Sequence, residues 1–335
     1  MEFAFLPLAI VLFASIFQGS FGLGMKFMAP LKWESWWLVH ATVAMLVFPI
    51  VWALIVVPDL FGIIASAPSK AVLIGMLFGF LWGIGGIMFG KSIPYIGISL
   101  TYGIVMGTCS AVGSIIPLLQ IENASSLPAF PYIIVGVVVM LIGVVITAYA
   151  GILKDRSRQS NEAAKNIKLG LTIAIVSGVL SALLNVGFVN AQPVAELARE
   201  NGALVRNSSL ASWVVVLIGA YIMNAGYSII LLSKNKTWNS FSVPKSKKAY
   251  LWSIAAGLLW FAALGVYGQG ATLMGEMGPV IGWPILLGIS LIISNIWAYL
   301  NKEWKDAKKP FMWLLFGLLI LIIATIILGY ANGVG

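Results

Sequence analysis

The chain reads as an all-α membrane protein of ten transmembrane helices, arranged as two inverted repeats of five. Three observations predict this. The sequence is 60% hydrophobic and only 9% charged, with a mean hydropathy of +1.00, whereas a soluble domain carries roughly a quarter charged residues. Its apolar residues fall into ten runs of about 20 residues, the length that crosses the hydrocarbon of a bilayer. Of its 20 Lys and Arg, all but Lys70, Arg199 and Arg206 lie on alternate connections between those runs. Backbone amides find no water in hydrocarbon, so each run must satisfy them as a helix, and the alternation of a membrane β-barrel is absent.

The first run, residues 3–25, carries Gln18 and ends near Gly24, Lys26 and Pro30. Its only flanking charge on the N-terminal side is Glu2 and no small-residue cleavage site follows, so it is expected to remain as a helix rather than be removed as an export signal. The second, 35–57, opens on Trp33-Glu34-Ser35-Trp36-Trp37 and holds the sole histidine, His40. The third, 71–90, and fourth, 95–119, are rich in glycine (Gly83, Gly85, Gly86, Gly103, Gly107, Gly113), which lets helices approach closely and slide. The fourth also has Tyr102, Thr108 and the single cysteine, Cys109, a packing residue that makes neither a disulfide nor a Cys-based metal site.

After the fifth run, 131–153, comes the longest hydrophilic stretch, Lys154 to Lys168, close to the middle of the chain. It sets the expected boundaries: a first repeat over 1–155, a cytoplasmic linker over 156–167 and a second repeat over 168–335. The sixth run, 168–190, contains Asn185 and Asn190 and is followed by Gln192, Pro193 and Glu196. The seventh, 210–233, contains Asn224 and Tyr227, and the eighth, 249–270, ends at Gln269. Glu276 precedes the ninth, 279–300, which holds Trp283; the tenth spans 311–330.

Positive charge favours the cytoplasmic side, so the odd-to-even connections are expected inside and both termini outside. The net charge of +9 is then a topology signal facing anionic lipid, and no nucleic-acid partner is implied. Duplication shows in Gly79-Phe80-Leu81-Trp82 through Phe89-Gly90, which matches Gly257-Leu258-Leu259-Trp260 through Tyr267-Gly268 in register; Gly24 and Pro30 likewise correspond to Gly187 and Pro193. An odd number of spans per half forces opposite orientations. Inverted halves that exchange conformations open one face of the membrane while closing the other, which points to a transporter.

No Walker A segment, metal-ligand pair or clustered acids are present, so neither an enzyme nor a metal or cofactor is expected, and uphill work would draw on an ion gradient, with protons as the coupling ion. Polar side chains within the spans suit a neutral sugar, because amides and hydroxyls donate and accept at once and no mid-membrane countercharge awaits a charged solute. The substrate candidates are Gln18, Tyr102, Asn185, Asn190, Asn224, Tyr227, Gln269 and Trp283. Each amide fits interhelical bonding equally well. The proton candidates are Glu34 first and His40 second, then Glu196 and Glu276. A carboxylate that loses water as the bundle closes takes a proton more readily; the competing reading of the acids is a charge at headgroup level or an acid at a helix N-terminus.

Phe78-Gly79-Phe80-Leu81-Trp82-Gly83-Ile84-Gly85 continuing to Tyr95-Ile96-Gly97-Ile98-Ser99 resembles the L-rhamnose–proton symporter family of the drug/metabolite transporter superfamily. Trp33-Glu34, Asn190-Ala191-Gln192-Pro193 with Glu196, Asn224, and Lys302-Glu303-Trp304 fit the same pattern, across essentially the whole chain. The resemblance implies the drug/metabolite transporter fold and proton-coupled uptake of L-rhamnose or a related deoxy sugar, bound between the halves, with Glu34, Asn190, Glu196 and Asn224 as matching positions. It further implies a multi-pass protein of the bacterial inner membrane whose partners are the sugar and the lipid, as a monomer or weak homo-oligomer. An exporter or facilitator of another small polar metabolite shares the fold and is the alternative. The chain departs from the family at Gly86, where an amide is usual, and at His40.

Overall fold

The computed structural model describes residues 5–158, 166–305 and 307–334. Among the described residues all regular structure is helical, and ten helical segments are long and apolar enough to cross a membrane. They are span one (Phe5–Phe27), two (Trp33–Val56), three (Ser69–Ile96), four (Ile98–Gln120), five (Phe130–Asp155), six (Ile167–Glu200), seven (Val205–Asn235), eight (Lys247–Leu273), nine (Gly275–Leu300) and ten (Lys308–Val334). Most of the expected linker, residues 159–165, lies outside the described residues.

The helices overrun the apolar segments because hydrophobicity marks only the hydrocarbon, while backbone bonding continues into the headgroup region. Span three runs on past Lys91 and Pro94 to Ile96, and the Ser92 hydroxyl donates to the Thr101 hydroxyl at 3.0 Å, tying three to four. Only Gly97 separates those spans, at φ +79°, a conformation that costs glycine little. Pro193 does not terminate span six. It stands at the start of a further amphipathic helix, Gln192–Glu200, where its missing N–H is no loss.

Two spans are irregular where sequence gives no warning. Span one changes from α-helix to a 3₁₀ segment at Phe21–Phe27. Span two changes at Thr42–Val47 to π-helix, a wider turn that is rare and frequently found at functional sites.

The packing has a two-fold pattern. Span three lies along six and seven, and span eight along one and two; four packs on six, and nine on one; five and ten pack on each other. Adding five to each number, and wrapping past ten, returns this set of neighbours. The crossing of three and seven is reciprocal: a Cβ on Gly79 would collide with the Val216 carbonyl, and one on Gly219 with the Met76 carbonyl. The pattern is incomplete, and one break involves the helices that carry most of the aromatic residues described below. Spans seven and eight pack against each other, whereas their counterparts two and three barely touch.

Candidate functional site

Spans two and three barely touch, and the seam between them is followed here from the end of the bundle that bears most of the Lys and Arg, the basic end. Trp33, Trp36, Trp37 and His40 recur at helical spacing, so all four project from one broad face of span two. Their rings form a continuous array. Trp33 stacks on Trp37 (centroids 5.5 Å apart) and meets Tyr227 edge-on at 6.4 Å. Trp37 and Trp36 both stack on His40, at 4.8 and 5.4 Å, and Trp260 meets the imidazole edge-on at 6.5 Å. Trp82 of span three lies 5.3 Å from Trp260. One turn on, Gly86 is exposed and a Cβ there would meet open space.

Polar groups border this array. The Trp37 indole donates to Asn224 Oδ1 at 3.0 Å, and Asn224 Nδ2 donates back to the Ala220 carbonyl. Thr42 lies 3.4 Å from the Tyr221 hydroxyl. Several buried atoms have no hydrogen-bond partner: Gln18 Oε1, Trp36 Nε1 and both nitrogens of His40, a residue with 0% exposure. Such atoms forfeit the bonds they would make to water; Trp213 Nε1 and Thr272 Oγ1, toward the opposite end, are unpartnered as well.

Below the array the basic end is tied together. Glu34 Oε1 accepts from Thr237 at 2.6 Å and from Asn235 Nδ2 at 3.2 Å, joining span two to the end of seven. Ser35 bonds to Ser240, and Ser253 donates to the Trp36 carbonyl at 2.7 Å. Lys26 pairs with Glu303 at 2.5 Å across a cleft of about 170 Å³ between spans one and nine.

The opposite end is packed dry. Asn185 Nδ2 donates to the carbonyls of Gly113 and Pro279 (2.8 and 3.0 Å), and its Oδ1 accepts from Tyr267 at 2.7 Å, so this one amide joins spans four, six, eight and nine. Trp283 Nε1 donates to the Cys109 carbonyl at 3.2 Å. Phe188 stacks on Trp213 at 4.5 Å, and Gln269 Nε2 donates to Asn207 Oδ1 at 3.2 Å.

The family model described as L-rhamnose-proton symport protein matches residues 8–333. The L-rhamnose-proton symporters of Yersinia pestis (strain Pestoides F) and of Yersinia pseudotuberculosis serotype O:1b (strain IP 31758) are each 31% identical over 318 residues, covering 90% of this chain and 92% of the relative. The chain belongs to the L-rhamnose–proton symporter family. Membership agrees with the resemblance read from the sequence, and with the expectation of a multi-pass membrane transporter rather than an enzyme.

Within this family member, the predicted site residues separate into three groups. His40, Asn224 and Tyr227 meet around the aromatic array, Glu34 is tied to the end of span seven below it, and Gln18 brings its unpartnered oxygen to the same half-buried stretch of span one that carries Phe21, a neighbour of His40 at 6.2 Å. Asn185, Trp283 and Gln269 belong to the dry end instead, with their polar atoms engaged by protein. The others are scattered. Asn190 caps its own helix through the Val186 carbonyl, Tyr102 packs edge-on against Phe89, Glu196 is exposed beside Arg199 at 3.9 Å, and Glu276 is exposed. Sequence reasoning missed Trp36, Trp37, Tyr221, Asn235 and Thr237. The aromatic spacing in span two is the available signal, but tryptophans also gather in belts at the headgroup level, so spacing alone does not separate the two roles.

Proposed function

We propose that this chain imports L-rhamnose, or a closely related 6-deoxyhexose, together with protons, by alternating access between two inverted five-helix repeats of the drug/metabolite transporter type. The broken two-fold carries the reading. Seven and eight are closed on each other while two and three stand apart, which is how two inverted copies of one unit differ when one end is open and the other shut. The charge pattern supports a cytoplasmic basic end with both termini outside, and the symporter relatives support the inner membrane; on that reading this conformation faces inward. Family membership supports the choice of sugar and of coupling ion.

The seam chemistry fits the solute. Indole faces of Trp37, Trp82 and Trp260 suit the C–H face and methyl group of a 6-deoxyhexose, while Gln18, Asn224 and Tyr227 offer donors and acceptors to its hydroxyls. Sugar and proton bind from outside, the dry end closes over them, and the basic end opens to release both. Uptake of labelled L-rhamnose into proteoliposomes with an acidic exterior should exceed equilibrium and collapse with a protonophore. Uptake that only equilibrates, with or without the protonophore, would refute coupling.

A further inference from the structure

We propose that His40 is the proton-carrying group of the cycle, and that the tryptophan cage around it binds and releases that proton as the seam changes shape. This deepens the importer reading above and rests on it. The imidazole is fully buried between Trp36, Trp37 and Trp260, with Phe21 beyond; neither nitrogen completes a hydrogen bond, although the Ser253 backbone lies close enough to interact with the ring. A neutral ring can turn its one donor toward the Ser253 backbone; an imidazolium would bring a second donor and a net charge that nothing there meets. The inward-facing packing therefore admits the neutral ring. Indole faces attract an imidazolium, so the same cage holds the charged form once movement of span two lets water or sugar hydroxyls reach the nitrogens. The π-helical turn at Thr42–Val47 begins two residues after His40 and is the place where span two can shift.

Nothing else facing the ring performs this task. From span one the neighbour is Phe21, and from span eight Trp260, the Ser253 backbone and Gly257, whose added Cβ would meet the His40 carbonyl. Tyr221 of span seven reaches only Thr42. On its own helix the nearest carboxylate is Glu34, six residues back and about 9 Å along the axis, with Oε1 held by Asn235 and Thr237. At the basic end Lys26 pairs with Glu303 and Lys248 sits over the Phe27 ring. Glu34 is thus a tie between spans two and seven, and the proton passes from external water to an imidazole nitrogen and on to internal water.

His40 is the sole histidine, so its ring gives a single isotope-labelled imidazole signal in the unmodified chain purified without a histidine tag. Saturating L-rhamnose should move the midpoint of its titration by about one pH unit. A ring that keeps one protonation state from pH 5 to 8, with and without sugar, would overturn the proposal. In proteoliposomes His40→Gln should lose pH-driven accumulation while sugar counterflow persists, and Glu34→Gln should still accumulate. The reverse assignment, with accumulation lost only in Glu34→Gln, would also overturn it. Should His40→Gln not fold, the imidazole titration decides alone. If the unmodified chain moves no 6-deoxyhexose, the importer reading fails, and the titration repeated without sugar between opposite pH gradients still reports whether the ring takes up a proton.

Discussion

Replacing Asn185 with Ala should open the dry end. The amide makes three buried hydrogen bonds, two to carbonyls on spans four and nine and one from Tyr267. All three join elements that must part if that end is to admit solute. Interhelical hydrogen bonds in membrane proteins average about 0.6 kcal/mol each, because the separated helices find other partners. Losing three therefore biases the equilibrium toward the other conformation by about 2 kcal/mol, roughly a twentyfold to thirtyfold change in population. The chain carries its own reporter. Cys109 is its single cysteine, 5% exposed, and its carbonyl accepts from Trp283 inside this closed end. Labelling of Cys109 by an impermeant maleimide added on the side opposite the basic end should accelerate by that factor in Asn185→Ala. Unchanged labelling combined with a lower Tm would refute the reasoning, since it would mean that the amide ties these helices equally in both conformations.

Trp37→Phe removes the indole bond to Asn224 while keeping an aromatic ring, and should raise the KM for L-rhamnose about fivefold to tenfold, in line with about 1 to 1.5 kcal/mol for one partly buried hydrogen bond; an unchanged KM would remove Trp37 from the sugar site. Gly79→Leu forces a side chain into the Val216 carbonyl at the crossing of spans three and seven, and should lower stability by more than about 3 kcal/mol, read as loss of monodisperse protein after heating. Gly86→Asn faces open space, so it should fold normally and change the ranking among 6-deoxyhexoses; an unaltered ranking would place the solute elsewhere. Lys26→Met breaks an exposed ion pair and should shift Tm little, by the equivalent of about 1 kcal/mol or less.

The ten spans were legible because hydrocarbon leaves the backbone no alternative to helix, so composition and length suffice. The irregular turns were not. Nothing in Thr42-Val43-Ala44-Met45-Leu46-Val47 distinguishes a π turn from an α turn, because the extra residue is accommodated by tertiary packing against spans seven and eight. The amides show the same limit. Asn185 and Asn224 are both apolar-flanked asparagines within spans, yet one joins four helices at a dry end while the other borders the aromatic seam. Side-chain type sets what a group can bond to; the neighbouring helices decide whether a partner is already there. His40 was legible as an anomaly, a lone titratable ring deep in a span. Its aromatic surroundings, and the lack of a complete hydrogen bond at either nitrogen, became visible only with the packing.

Two distances measured in one experiment test alternation most directly. Spin labels at Lys32 and Lys91 report the gap between spans two and three, and labels at Arg206 and Leu273 report the closure of seven on eight, each pair in a Cys109→Ala background. With L-rhamnose and an acidic outer face, the first distance should shorten as the second lengthens. If the two distances move together, or neither responds to sugar and protons, the exchange of conformations between the two halves is contradicted.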